Sequence, residues 1–180
     1  FDQHFNSHLQ EGARYILDHM FEDPEWSLWI DKCFPIKYRI PLMYDVGQLT
    51  VGKHGMGSGS GGTNADETII HRALQYEAAR LQGQKLNTAS QCLGDDGVLT
   101  FPKLDPQKVV DSYASHGLDM NPDKQETSNV ECTYLRRWHH YYYRMSGICV
   151  GVYSTFRALG RLCEQERYYA PKDWGPKMVA

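Results

Sequence analysis

The chain has 180 residues, 41% of them hydrophobic and 23% charged, an ordinary globular composition long enough for one domain or for a piece of a larger one. A net charge of −3 gives no support to a protein that coats nucleic acid non-specifically, although a basic channel confined to one region stays open. No apolar run approaches the roughly 20 residues that cross a bilayer, the opening "FDQHFNSHLQ" lacks the regions of a signal peptide, and five scattered cysteines without a CxxC pair argue against a zinc knuckle or disulfide framework. An intracellular protein with free thiols is the expectation. The chain opens at Phe1 without an initiator Met, inside what reads as ordered sequence, so a fragment is expected.

In chain order, Leu9, Ala13, Ile16, Leu17, Met20 and Phe21 recur at helical spacing and predict a helix that Asp23-Pro24 closes. From Trp26 to Thr50, aromatics mix with Pro35 and Pro41 without a clear period, which predicts irregular chain with short strands. After the glycine- and serine-only run Gly57 to Gly62, the stripe Ile70, Ala73, Leu74, Ala78 and Leu81 predicts a long helix from about Asn64 to about Gln82. Thr63 with Asp66 approximates a capping box at its start, and Asp66 with Glu67 places negative charge at the positive end of the helix dipole. "TASQCLGDDGVLTF" predicts a hairpin with two carboxylates at its tip, because Asp-Gly favours tight turns. Asp105-Pro106 opens a further helix carrying Val109, Val110, Tyr113 and Ala114, with Gly117 as its stop. Beyond a turn at Asn121-Pro122, the β-prone "CTYLRRWHHYYYRM" predicts a second hairpin, and Val152, Phe156, Leu159, Leu162 and Cys163 a closing helix. Helices mixed with hairpins make the fold class α+β.

Two motifs carry chemistry. The glycine run fits a linker poorly, since a helix starts directly after it. Gly57, Gly59 and Gly62 satisfy G-x-G-x-x-G, but the preceding "GQLTVGKHGM" is a poor buried strand, and no Gly-Lys-Ser/Thr follows to make a P-loop. A structural turn and a binding loop both stand. The "GDDG" stretch, Gly94 to Gly97, reads either as a solvated hairpin tip or as a rigid presentation of Asp95 and Asp96 to divalent cations, which favour carboxylate oxygens and substrate phosphates.

In order, a Ser-Gly-x-x-x-Thr loop opening a long helix, a GDD hairpin, a helix, a lysine after a turn and an aromatic hairpin resemble the palm of viral RNA-dependent RNA polymerases. Ser58 to Thr63 resembles that family's motif B, Gly94-Asp95-Asp96 its motif C, "GLDMNPDKQ" with Lys124 its motif D, and "CTYLRRWH" its motif E. The wording of "FDQHFN", "GSGSGGTNADET" and "VGVYSTFRALGRL" is similar to that of picobirnavirus polymerases, and Asp2 resembles the second aspartate of motif A. The first motif A aspartate would lie upstream of Phe1, so the isolated chain is expected to be inactive.

The resemblance implies a palm over residues 1–145, an antiparallel RRM-like sheet backed by helices, and the start of a helical thumb over residues 146–180. It implies RNA-directed RNA synthesis with Mg²⁺ or Mn²⁺ as cofactor, with RNA template, nascent strand, nucleoside triphosphates and the rest of the polymerase as partners, in the virion or host cytoplasm and without a membrane. Asp95 and Asp96 are the implied metal ligands, and Lys124 the acid that protonates departing pyrophosphate. Asp2, Ser58, Gly59, Thr63 and Asn64 are placed on the nucleotide, and Arg136 and Arg137 on the RNA phosphates. Glu67 stands where many relatives have the asparagine that partners the ribose-selecting aspartate, so that role stays open among Asn64, Asp66 and Glu67. Adjacent His139 and His140 face opposite sides of a strand and make a poor metal pair. The competing reading is a non-catalytic interaction domain that happens to carry a glycine-rich loop.

Overall fold

Asn6 starts the first helix: its Oδ1 accepts the backbone N–H groups of His8 and Leu9 at 3.0 and 3.2 Å, filling donors that a helix start leaves orphaned. The computed structural model describes residues 4–57, 59–163 and Lys172, and in it helix α1 spans Ser7–Asp18. It stops earlier than its apolar spacing predicts, with Met20 and Phe21 exposed beyond it. Asp23-Pro24 proves to be a start signal as well as a stop. The Asp23 carboxylate accepts the Glu25 N–H at 2.8 Å, Pro24 occupies the first turn, and α2 runs Pro24–Lys32. The stretch expected to be irregular from Trp26 is therefore helical up to Lys32. A 3₁₀ turn at Phe34–Tyr38 follows, then the expected short strands, β1 (Leu42–Asp45) antiparallel to β2 (Gln48–Thr50).

The long helix α3 spans Thr63–Leu81, within a residue of its predicted bounds. Its buried positions differ from the predicted stripe. Ile70, Leu74 and Ala78 are buried as expected, but Ala73 and Leu81 are exposed, while Asp66, Glu67, His71 and Gln75 are buried. The first hairpin pairs β3 (Gln91–Leu93) with β4 (Asp96–Val98), Leu93 opposite Asp96, so the two turn residues are Gly94 and Asp95 rather than Asp96 and Gly97. Helix α4 (Pro106–Ser115) is capped by Asp105, and Gly117 beyond it takes a left-handed φ of 79°, as predicted.

Helices α1 and α4 both pack on α3. Phe5, Leu9, Ala13 and Leu17 meet Ile70, Leu74 and Ala78 in one core with Val109 and Tyr113, closed by Ile30, Phe34 and Tyr38. Polar links fasten the same layer: His116 Nε2 lies 2.6 Å from Glu77 Oε2, and Asn6 Nδ2 donates to the His116 carbonyl at 2.7 Å.

The chain divides into two compact units, Phe1–Thr127 and Ser128–Ala180. The palm-to-thumb boundary expected after residue 145 falls inside the second unit. There β5 (Glu131–Tyr134) and β6 (Arg137–His140) form the expected aromatic hairpin. Leu135 and Arg136 form its turn at φ of 50° and 62°. A short hairpin of β7 (Arg144–Met145) and β8 (Ile148–Cys149) follows, then β9 (Val152–Tyr153), which adds to the free edge of β6. Val152, expected in the closing helix, is thus a strand residue opposite Trp138, and the helix itself, α5, runs Thr155–Cys163. The mixture of helices and antiparallel strands is the expected α+β class. No described helix is long and apolar enough to cross a membrane.

Candidate functional site

Helix α3 presents Thr68, His71, Arg72 and Gln75 on one face, the spacing that puts side chains of successive turns in line. This row binds the backbone of the GDD hairpin. Gly94 N–H donates to Thr68 Oγ1 at 2.8 Å, and His71 Nδ1 donates to the Gly94 carbonyl at 2.9 Å. Arg72 donates to the Ser90 carbonyl at 2.7 Å, and Gln75 Nε2 to the Gln91 carbonyl at 3.1 Å. Gln75 is fully buried, and Arg72 satisfies its oxygen at 2.9 Å. Such buried polar groups are tolerated because they are paired.

The fit between helix and hairpin is tight. Gly94 has φ 59°, a left-handed value that glycine adopts without strain, and a Cβ there would sit 3.2 Å from Asn64 Nδ2 and 3.4 Å from Glu67 Oε2. A Cβ on Gly97 would fall 2.6 Å from His71 Cε1. The residues flanking the two aspartates are therefore glycines for reasons of close approach, not only of turn chemistry.

Asp95 is exposed at the turn, and Asp96 beside it is half-buried at the start of β4. Burial lowers the pKa of His71, opposed by its bond to Gly94 and by the charges of Asp95 and Asp96, so its ring is neutral at pH 7. Burial likewise pushes up the Cys92 thiol, partly offset by Arg72, and raises the Tyr113 hydroxyl. Among the described residues, no three His, Cys, Asp or Glu side chains gather as a metal-holding group. The donor set at the hairpin nevertheless suits a hard cation: carboxylates at a solvent-facing tip leave room for substrate phosphates and water.

The glycine run is folded, not a tether. Ser60 N–H donates to Gly57 O at 3.1 Å and Thr63 N–H to Ser60 O at 3.2 Å, so two successive turns lead into α3. Thr63 does not cap the helix as expected. Gly62, at φ 85°, is the cap residue, and Thr63 Oγ1 turns back to the Ser60 carbonyl at 2.8 Å. Asp66 does not complete a capping box either, because its carboxylate is drawn into the core. Lys37 Nζ and Tyr38 Oη each lie 2.5 Å from Asp66 Oδ2. The same ammonium sits 4.7 Å above the Phe34 ring and 3.1 Å from where a Gly62 Cβ would be, so this buried cluster underlies the end of the glycine loop. Burial, then the bond to Asp66, then the charges of Asp66 and Glu67 push the Tyr38 hydroxyl above its ordinary range.

Of the three residues left open for ribose recognition, Asp66 is thus committed elsewhere. Asn64 is exposed beside Gly94, and Glu67 is buried beside it. Gly59 lies in the loop at φ 81°. Asp2 and Ser58 fall outside the described residues. Lys124 ends a 3₁₀ turn, its side chain exposed and its N–H donating to Asn121 O at 3.1 Å. In the second unit Arg136 is exposed at the hairpin turn, and the Arg137 guanidinium lies 5.7 Å over the Tyr153 ring. Sequence reading missed Lys37, Tyr38, Thr68, His71, Arg72 and Gln75. The last four were visible as polar residues at i, i+3, i+4 and i+7, a stripe that an apolar template passes over.

A family model described as viral RNA-dependent RNA polymerase matches residues 1–143. The chain is 59% identical over 179 residues to the "Potential RNA-dependent RNA polymerase" of Human picobirnavirus (strain Human/Thailand/Hy005102/-), covering 99% of this chain and 34% of the relative. It is also similar to two crystal structures, the RNA-dependent RNA polymerase of a human picobirnavirus and its insertion loop deletion mutant. Each has a TM-score of 0.91 and 59% identity, with 99% of this chain covered and 34% and 35% of theirs. The chain spans about a third of the length of the relatives it matches.

Proposed function

Because the chain belongs to the viral RNA-dependent RNA polymerase family, we propose that it supplies the palm, residues 1–145, and the start of the thumb, residues 146–180, of an RNA-directed RNA polymerase. One observation carries this reading: the Gly94-Asp95-Asp96 turn is held by its backbone on the flank of α3, the helix that the glycine loop leads into. A solvated hairpin tip needs no such hold.

The reaction is attack of an RNA 3′-hydroxyl on the α-phosphate of a nucleoside triphosphate, with pyrophosphate leaving. Mg²⁺ or Mn²⁺, when bound, offsets the charge on the attacking and leaving oxygens. Asp95 and Asp96 would hold the cations through their carboxylates at the hairpin tip, with Asp2 on the ribose 2′-hydroxyl and Asn64 on the nucleotide. Ser58, Gly59 and Thr63 form the loop against the incoming nucleotide, where glycine lets backbone approach the ligand. Lys124 gives a proton to the departing pyrophosphate. Arg136 and Arg137 bind phosphates of the nascent strand. The template and the rest of the same polymerase are the remaining partners, in the virion or host cytoplasm.

The test is RNA synthesis by a full-length polymerase carrying this sequence. Asp95→Ala is expected to reduce synthesis to background with the fold retained. Undiminished synthesis by that variant would leave the interaction-domain reading in possession of the site.

A further inference from the structure

The peptide between Gly94 and Asp95 sets where the Asp95 side chain starts, and its carbonyl is held by His71 Nδ1 at 2.9 Å. The other polar group of Gly94, its N–H, is held by Thr68 Oγ1 at 2.8 Å, from the same helix one turn earlier. The Thr68 hydroxyl in turn donates to the Asn64 carbonyl at 2.6 Å, so its proton is committed and its lone pair is presented to Gly94. His71 is buried and stands edge-on to Tyr113 of α4, with ring centroids 5.8 Å apart, so neither side chain can drift without disturbing the core. The ladder of this hairpin cannot substitute for them, because each of its strands is three residues long.

We propose that Thr68 and His71 are positioning residues for the metal-binding carboxylates: by gripping both polar groups of Gly94 from α3, they fix the orientation of Asp95 before any ligand arrives. The inference rests on the polymerase reading of Asp95. Both contacts are to main chain. Their effect runs through the backbone, so it depends on a donor at the position of His71 Nδ1 and an acceptor at that of Thr68 Oγ1, not on their volume.

The experiment uses the full-length polymerase with two pairs of variants. His71→Leu and Thr68→Val fill similar space without the hydrogen-bonding group, whereas His71→Asn and Thr68→Ser keep a donor and an acceptor near the same points. Mn²⁺ affinity is measured without nucleotide or RNA by electron paramagnetic resonance, and kcat and KM for nucleoside triphosphate are measured separately. Loss of such supporting contacts typically weakens metal affinity or activity by about 10- to 100-fold. His71→Leu and Thr68→Val are expected to weaken Mn²⁺ binding and lower kcat by that order with KM little changed, and the conservative variants to restore most of both. Equal behaviour within each pair, or Mn²⁺ affinity unchanged in all four, overturns the proposal. Asp95→Ala is the separate control: if it leaves synthesis and Mn²⁺ binding intact, the polymerase reading of the site fails, whatever His71 and Thr68 do.

Discussion

Replacing Lys37 with methionine removes the cation from the buried cluster while keeping the length of its stem. The side chains of Lys37 and Asp66 are 9% and 3% exposed, and their charged atoms are 2.5 Å apart, so water screens the pair little. Loss of one partner of such a pair leaves an uncompensated buried charge and costs about 3–5 kcal/mol. Here the Asp66 carboxylate would keep only the Tyr38 hydroxyl among its two partners. The double variant Lys37→Met/Asp66→Leu removes both charges and is expected to be less destabilised than the single, its remaining cost of about 1–3 kcal/mol coming from the Tyr38 hydroxyl left without its acceptor. The coupling energy in the cycle is therefore about 3 kcal/mol or more. Hydrogen exchange of the first-turn amides of α3 is the assay, since it reads local opening free energy in a multidomain protein whose global unfolding is not one transition. The Asp66 amide, bonded to Gly62 O at 3.0 Å, is the natural reporter. Because the Lys37 ammonium lies beside Gly62, at the end of the loop proposed to face the nucleotide, the single variant is expected to raise KM for nucleoside triphosphate. A cost below about 1 kcal/mol, or a double variant as unstable as the single, would refute the reasoning.

Two further predictions follow from the same contacts. Gly97→Ala places a methyl 2.6 Å from His71 Cε1, an overlap that must shift either the ring or the hairpin, and it is expected to cost about 1–3 kcal/mol and to weaken Mn²⁺ binding. Hydrogen exchange of the β3 and β4 amides and a metal titration read the two effects. On the alkaline side, the Tyr38 hydroxyl resists ionisation only in the folded state, so above about pH 10 the unfolded chain loses a proton that the folded protein keeps. Stability is therefore full below that pH and falls as pH rises past it, and Tyr38→Phe should flatten the decline when unfolding is measured across that range.

The local signals that survived into the structure are those whose physics is confined to a few residues. Asp105-Pro106 marks a helix start and Gly117 its end because capping and left-handed φ are decided within one turn. Where a residue answers to a distant partner, the sequence reading went astray. Thr63 and Asp66 have the chemistry of a capping box, yet Asp66 is taken by Lys37 and Tyr38 some 28 positions earlier in the chain, and Gly62 ends the loop instead. The predicted apolar stripe on α3 was incomplete for the same reason: Gln75 and His71 are buried because β3 offers them carbonyls, which no hydropathy pattern encodes. Asp95 and Asp96 were legible as a pair at a hairpin tip. The helix that aims them was legible only as a helix.

A pair of three-residue strands has too little ladder to hold two like charges at its tip in a defined direction. Among the described residues, the compensation comes from side chains bonding to main chain: four residues of α3 occupy the N–H of Gly94 and the carbonyls of Ser90, Gln91 and Gly94. Bonds of this kind fix the path of the hairpin, and with it the direction in which Asp95 leaves the backbone, without occupying the Asp95 carboxylate. Asp95 thereby faces solvent while the Gly94 backbone beside it is bonded on both its polar groups. In the proposed role of Asp95 and Asp96, a pre-organised backbone spares the carboxylates reorientation at the moment of binding, which is where a loosely held site loses affinity. On the proposed reading of Asp95 and Asp96 as cation ligands, the sensitive positions include the inner face of α3 as well as the hairpin, and substitutions at Thr68 or His71 should register first in cation affinity and only then in stability.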